Sequence, residues 1–468
     1  MLFFLVITLI CITLAVLMAK NQRVVSPGVL FMVPFTISAF FLLLNTSRWS
    51  VVLHVNTYLV IVGGCLSFLL GVVLAKRRYF RRRVQIAVLW RERPGHAEGA
   101  EIPDWFLWVA LFVQLVFFAV CLRAILSVAR SYGYSGTLAF AIYQFRNTRI
   151  YTTDSVSLGR IREWMYAFNL ASGYIWMYML AFRASKKQRI PAVLVLNIII
   201  CLATGLLKGS RQSSVQMIVA GITYYFLFYI AGTHRSRVPL KKMIKPMLLL
   251  IVIAVTFQMV GTLLGRTVRA DFMQYIAVYL SGSIRNLNEW LQSPHSIASP
   301  FGKMTVIYFW NTMGNYLHVP GWVYVLDLPY LSANGNNSGN VYTLFYAYIY
   351  DFGYIGAAVV PFIIGFISQL VFKKTSSIDT KSERNIQFNS IIYGYIAYTL
   401  AFSYFSNKFF EGIVRIGFVR MAIVWALYVI LFNRFRFVGA RLLNKRIAWS
   451  DNRRQIREAG HGGTETLD

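Results

Sequence analysis

Apolar residues run through this chain in long blocks separated by short polar breaks, and the blocks have the length of membrane-crossing helices. Eleven of them, at about 2–19, 27–44, 57–75, 104–122, 164–182, 190–207, 213–232, 246–265, 341–372, 387–405 and 412–432, carry few charges. About 18 such residues suffice to cross a hydrocarbon core of about 30 Å as a helix. Two intervening segments are far longer than the rest, 123–163 and 266–340. The pattern predicts an all-α polytopic membrane protein with about 11 transmembrane helices: a single transmembrane domain, 1–432, followed by a basic tail at 433–468. The first block has no basic leader, and no small-x-small site precedes Lys20, so it is expected to stay as the first span.

Composition agrees with this reading: 57% of residues are apolar, 14% are charged and the mean hydropathy is +0.55. A soluble protein could not cover that much apolar surface. The net charge of +30 would suggest a nucleic-acid partner in a soluble chain. Here it follows the membrane. Placing the arginine-rich stretch 76–104 in the cytoplasm fixes every other loop, with the N-terminus outside and the C-terminus inside. Thirty-one of the 47 Lys and Arg residues then fall on the inner side, 15 on the outer side, and Arg420 lies in the last span. Basic loops beside anionic lipid account for most of the charge, and no nucleic acid is implied. Cys11, Cys65, Cys121 and Cys201 fall inside or at the end of spans, so no outer disulfide is expected. No metal-ligand spacing, Walker A loop, dinucleotide fingerprint or Asp-x-Asp pair occurs, and neither a metal nor another cofactor is expected.

The cations that the positive-inside rule does not explain are the chemical lead. Arg123, Arg130, Arg146, Arg149, Arg160 and Arg162 punctuate the first outer segment among aromatics. Guanidinium groups match phosphate oxygens in a bidentate fork, although arginines touching lipid headgroups would read the same way. Lys208-Gly209-Ser210-Arg211-Gln212-Ser213-Ser214 joins two spans through a loop short enough only to turn. Arg211 is therefore expected at the outer boundary, projecting from a surface turn, with serines that cap the next helix. Arg266 and Arg269 share a face if their helix continues, with Asp271 as a competing partner, and Arg285 follows on an amphipathic stretch. His318 and Asp351 are the candidate bases. His318 lies in an Asn-rich outer stretch, and Asp351 sits within a span, where a carboxylate needs a partner or a polar cavity.

The Gly209-Ser210-Arg211 turn after an apolar span, the long outer segment in the second half, and Asn340-Val341-Tyr342-Thr343-Leu344-Phe345 leading to Asp351-Phe352-Gly353-Tyr354-Ile355-Gly356 together resemble the Wzy-type oligosaccharide repeat-unit polymerases, relatives of the O-antigen ligase group. The resemblance covers roughly 140–430 and rests on order and topology. It implies a GT-C-like helical architecture in a bacterial cytoplasmic membrane. It also implies a metal-independent glycosyltransferase that moves a growing glycan from undecaprenyl pyrophosphate to a lipid-linked repeat unit on the outer face. Implied partners are undecaprenyl-pyrophosphate-linked oligosaccharides, membrane lipids, and flippase and chain-length regulator proteins. On this reading Arg211, Arg266, Arg269, Arg285, Arg146 and Arg149 hold the pyrophosphate, Asn340 and Tyr342 meet sugar, and His318 or Asp351 takes the acceptor proton. A ligase, or a lipid-linked oligosaccharide flippase that would also need cations near a pyrophosphate, are the alternatives.

Overall fold

The computed structural model describes residues 1–19, 23–86, 102–134, 136–151, 157–233, 272–292, 301–326, 328–375, 382–438 and 441–444, with isolated residues between 238 and 248 and at 378 and 380. The described chain is almost entirely helical. The helices are α1 (Leu2–Met18), α2 (Pro27–Leu44), α3 (Thr46–Trp49), α4 (Val55–Ile86), α5 (Asp104–Ser131), α6 (Leu138–Tyr151), α7 (Arg160–Lys186), α8 (Ala192–Leu206) and α9 (Gln212–Thr233). They continue as α10 (Phe272–Trp290), α11 (Ile307–Leu317), α12 (Leu344–Lys374), α13 (Phe388–Ala401), α14 (Lys408–Ile413) and α15 (Ile416–Arg434). Two short antiparallel hairpins complete the fold, β1 (Leu331–Ala333) with β2 (Asn336–Gly339) and β3 (Phe435–Val438) with β4 (Arg441–Asn444).

Six helices among the described residues are long and apolar enough to cross a membrane: α2, α4, α5, α9, α12 and α15. This is a multi-pass membrane protein. The other expected spans depart from that standard for identifiable reasons. Helices α1 and α8 are apolar but shorter, and α13 has 14 residues. The block at 246–265, apart from Leu248, lies outside the described residues. Helix α7 is long, but protein rather than lipid surrounds it, since most of Tyr166–Arg183 is buried. A helix so enclosed can carry polar groups that neighbours satisfy. Asn169 donates to Gln114 O at 3.0 Å and to Thr204 Oγ1 at 3.3 Å, and Ser172 shares a 2.8 Å hydrogen bond with Tyr428. At the end that the charge pattern places inside, buried Arg183 forms a two-point ion pair with Glu383 at 2.8 and 2.9 Å.

Two cores organise the helices. In one, α1, α2 and α4 pack with α10 and α12. In the other, α5 to α9 pack with α13 and α15. Helix α13 contributes to both, through Ile391, Tyr393 and Tyr395 on one side and Ile396 and Leu400 on the other. The α4 to α12 crossing is close because Gly71 faces the Phe362 carbonyl and Gly365 faces that of Phe68, leaving no space for a side chain at either. Large apolar residues left exposed, such as Trp108, Val109 and Phe112 on α5, form the lipid-facing surface. Cys65, Cys121 and Cys201 are buried while Cys11 is exposed, and all four are free thiols.

Candidate functional site

Helix α9 starts immediately after the turn that the sequence singled out, and that turn is held from three sides. Gly209 has φ +69°, a left-handed conformation that favours glycine, and a Cβ there would come within 2.8 Å of the Arg146 Cβ. Helix α6 therefore lies directly on the turn, which brings segment 123–163 to it. From the other direction α10 contributes two tyrosines. Arg211 donates through Nη1 to the Tyr275 hydroxyl at 2.8 Å and through Nη2 to the Tyr279 hydroxyl at 3.1 Å. The expectation of a surface side chain is corrected here: Arg211 is 5% exposed. Its planar fork spans two phenols one helical turn apart, which a lysine could not do. Tyr279 in turn stacks on Phe405 with ring centroids 5.6 Å apart.

The third side is α7. Lys208 Nζ donates to both oxygens of Glu163 at 2.8 and 2.9 Å and lies 4.0 Å from the centroid of the Tyr166 ring. Arg420 of α15 reaches the same carboxylate at 3.3 Å. Burial, the charge of Arg149 and that of Arg415 push the Lys208 ammonium down to about 8, and the Glu163 carboxylate opposes them. Burial alone would raise Glu163, but Lys208, Arg149 and Arg420 outweigh it and hold the acid below its usual range. Among the described residues, cations outnumber carboxylates here. Lys208 and Arg420 touch one carboxylate, Glu163, and Arg149 lies within its electrostatic reach; Arg415 lies within reach of Lys208, and Arg211 follows three residues after Lys208 in the same turn. Nearby Glu411 is already paired with Lys408 at 2.7 Å.

The remaining sequence candidates separate into different environments. Arg149 is exposed on α6, and Arg146 donates to its neighbour Asn147 at 3.3 Å. Arg285 lies six residues beyond Tyr279, about 9 Å along α10. It binds Ser338 Oγ at 3.0 Å and the Ser332 carbonyl at 3.4 Å, with Glu289 at 3.9 Å, so it clamps the β1–β2 hairpin. Tyr342 is buried and donates to the Pro329 carbonyl at 3.1 Å, while Asn340 beside it is half-buried. Asp351, expected to need an arginine or a cavity, instead accepts from the Met304 amide at 3.0 Å and the Thr305 amide at 2.6 Å. It thereby anchors the segment entering α11, just before Gly353 breaks α12 at φ 64°. His318 caps the far end of α11 at φ 55° with an exposed ring. Arg266 and Arg269 lie outside the described residues. The segment expected to begin at 123 starts later, because α5 continues through Arg123 and Arg130 to Ser131.

Sequence reasoning missed Glu163, Tyr275, Tyr279, Arg415 and Arg420 as members of one cluster. Arg420 gave a signal, as a charge within an apolar helix, whereas the tyrosines gave none among the chain's 28. Among the described residues no three of His, Cys, Asp and Glu come together as metal ligands would. No family model, curated protein or solved structure matches this chain.

Proposed function

We propose that this chain is an integral-membrane glycosyltransferase of a bacterial cytoplasmic membrane. It would extend a glycan carried on undecaprenyl pyrophosphate by joining it to a lipid-linked repeat unit on the outer face. The observation that carries the reading is the cation-rich start of α9, where among the described residues Lys208, Arg420 and Arg149 share a single carboxylate and Arg211 stands beside them in the turn. In the reaction the acceptor hydroxyl oxygen bonds to the anomeric carbon, and the bond to pyrophosphate breaks with its electrons leaving on the phosphate. The hydroxyl proton passes to a base. Preorganised cations at the departing group contribute most when charge develops there in a partly dry site. Arg211 is proposed for that role, joined by Arg266 and Arg269. His318 is the better proposal for the base, because Asp351 is already occupied by backbone amides.

The proposed threading has eleven spans, an outer N-terminus and a cytoplasmic tail. Cysteines introduced at 147 and 336 should then react with an impermeant reagent from outside, and those at 93 and 454 from inside. Labelling of 336 from inside would overturn the threading. The activity test is incubation of the purified protein with lipid-linked repeat unit alone, in EDTA and without nucleotide-sugar. A ladder of longer glycans is expected. No product, or a product that requires a divalent ion, would contradict the chemistry. Transfer of a single finished glycan to another acceptor would indicate a ligase.

A further inference from the structure

Helix α12 is too long for one crossing, since its 31 residues would run about 46 Å if straight and a hydrocarbon core is about 30 Å thick. Gly353, at φ 64° and ψ −164°, divides it. The second part, 354–372, rises about 28 Å and ends at Lys373 and Lys374, so it crosses the core by itself. Its Ile355, Val359, Ile363 and Ile367, four residues apart, are all exposed and form a lipid-facing stripe. Helix α4, packed along α12, gives the same measure. Residues 55–75 rise about 31 Å before Lys76 and Arg77, and Lys373 donates to the Ala75 carbonyl at 3.3 Å. The break at Gly353 therefore lies at the membrane boundary opposite Lys373 and Lys374.

The segment 301–317 is fastened to that break. Asp351 holds the amides of Met304 and Thr305, and the Phe301 ring, 78% exposed, rests on Phe352 with centroids 4.5 Å apart. From Met304 to Leu326 the sequence contains no Asp, Glu, Lys or Arg, a composition unsuited to a loop in water. Helix α11 presents two faces there. On the face turned to protein, Asn311 pairs with the Tyr324 backbone at 2.7 and 2.9 Å, and a Cβ on Gly314 would come within 3.0 Å of Trp322. Phe309, Met313, Tyr316 and Leu317 lie on the other face at the i, i+4, i+7, i+8 spacing. Of these, Phe309, Tyr316 and Leu317 are exposed.

We propose that 301–317 is an interfacial element that docks on the lipid surface at this boundary. Helix α11 lies in the headgroup plane with Phe309, Met313, Tyr316 and Leu317 among the upper acyl carbons, about 5–10 Å deep. A bilayer is the partner that the position selects, because the exposed apolar surface continues from the lipid-facing stripe of α12 through Phe352 to Phe301. Aromatic side chains with polar tips, such as Tyr316, suit that depth. Asp351 then acquires a second consequence: by binding the amides at 304 and 305 it fixes how deep the segment sits. The inference goes beyond the transferase reading and holds or fails independently of it.

The test uses the full chain in phosphatidylcholine nanodiscs, with Cys11→Ser removing the one exposed native thiol. Phe309→Cys, Asn315→Cys, Tyr316→Cys and, on the α12 stripe, Ile363→Cys each carry a fluorophore. Quenching is read with phosphatidylcholine brominated near the headgroup or near the chain end, and with aqueous iodide. Bromines near the headgroup should quench 309 and 316 several-fold more than 315, and iodide should do the reverse. Bromines near the chain end should quench 363 more than either. Access of iodide to 309 and 316 without bromolipid quenching would place α11 in water and overturn the proposal. Protection from both quenchers would also overturn it, by assigning the face to protein, a second copy included. Strongest quenching of 309 and 316 by the chain-end bromines would replace a surface helix with an inserted one. The unaltered chain gives a second measurement that needs no folded variant. With a phosphatidylcholine bearing a photoreactive diazirine near the glycerol, adducts are expected on peptides containing Phe301 and 309–317, and their absence would sink the idea.

Discussion

Around Asn286 and Asp351 the buried polar groups are matched largely to backbone, whereas around Lys208 and Arg211 they are matched to other side chains and, among the described residues, cations outnumber carboxylates. Asn286 donates to the carbonyls of Ser338, Gly339 and Val341 at 3.0 to 3.2 Å, and Asp351 collects the amides of Met304 and Thr305. Such contacts fix where segments run, and they leave few donors for a ligand. At the start of α9, among the described residues, Lys208, Arg420 and Arg149 share one carboxylate, and Arg211 beside them donates to two phenols. The difference teaches how to sort buried polar residues in a membrane bundle. Groups satisfied by main chain build the frame, and groups left with net charge point to a ligand of opposite charge.

The largest effect should come from Arg211→Ala. Removing a charged donor from a developing anion typically costs about 10²-fold to 10³-fold in rate. Polymer yield per folded molecule should fall by that order, and Arg211→Lys should recover only part, having lost the fork that reaches both tyrosines. Because Arg211 is buried, a modest loss of thermal stability should accompany the Ala variant, and Tyr275→Phe with Tyr279→Phe should reproduce that part alone. Next is Asp351→Ala, which strands two buried amides at about 1–3 kcal/mol each. It should lower the unfolding temperature and the folded yield, and a variant as stable as wild type would remove Asp351 from the frame.

Gly209→Ala should cost about 1 kcal/mol from its left-handed backbone, with more from the encounter with Arg146. Loosened packing of α6 should appear as faster proteolysis between 134 and 160, and unaltered cleavage would show that α6 does not depend on the turn. The smallest effect is a pH dependence. Lys208 is charged below about 8 and neutral above it, so anion binding supported by its charge should persist at neutral pH and weaken as pH rises through about 8. Lys208→Arg should abolish that alkaline fall, and an identical fall in the variant would assign it to another group.

How much of this was legible in the sequence depended on distance along the chain. Lipid demands uninterrupted apolar runs, so α2, α4, α5, α9, α12 and α15 could be read directly. Helix α7 also fell on a predicted span, but its enclosure by protein could not be read, because that depends on which helices pack around it. The Gly209 turn and Arg211 were local patterns and were found. Their partners were not, since Lys208 meets Glu163 across 45 residues and Arg211 meets Tyr275 across 64. Asp351 was recognised as a carboxylate in need of a partner, but nothing in its neighbours foretold that backbone amides 46 and 47 residues upstream would be that partner.

The central claim is that the cluster at the start of α9 serves a ligand while the cluster around Asn286 serves the fold. Its most direct test measures glycan ladders per folded molecule and unfolding temperature together for Arg211→Lys and Asn286→Ala. The account predicts a deep loss of ladder at nearly unchanged unfolding temperature for Arg211→Lys. For Asn286→Ala it predicts a clear drop in unfolding temperature, with ladder per folded molecule retained. The opposite pattern, a full ladder from Arg211→Lys and a stable but inactive Asn286→Ala, would contradict it.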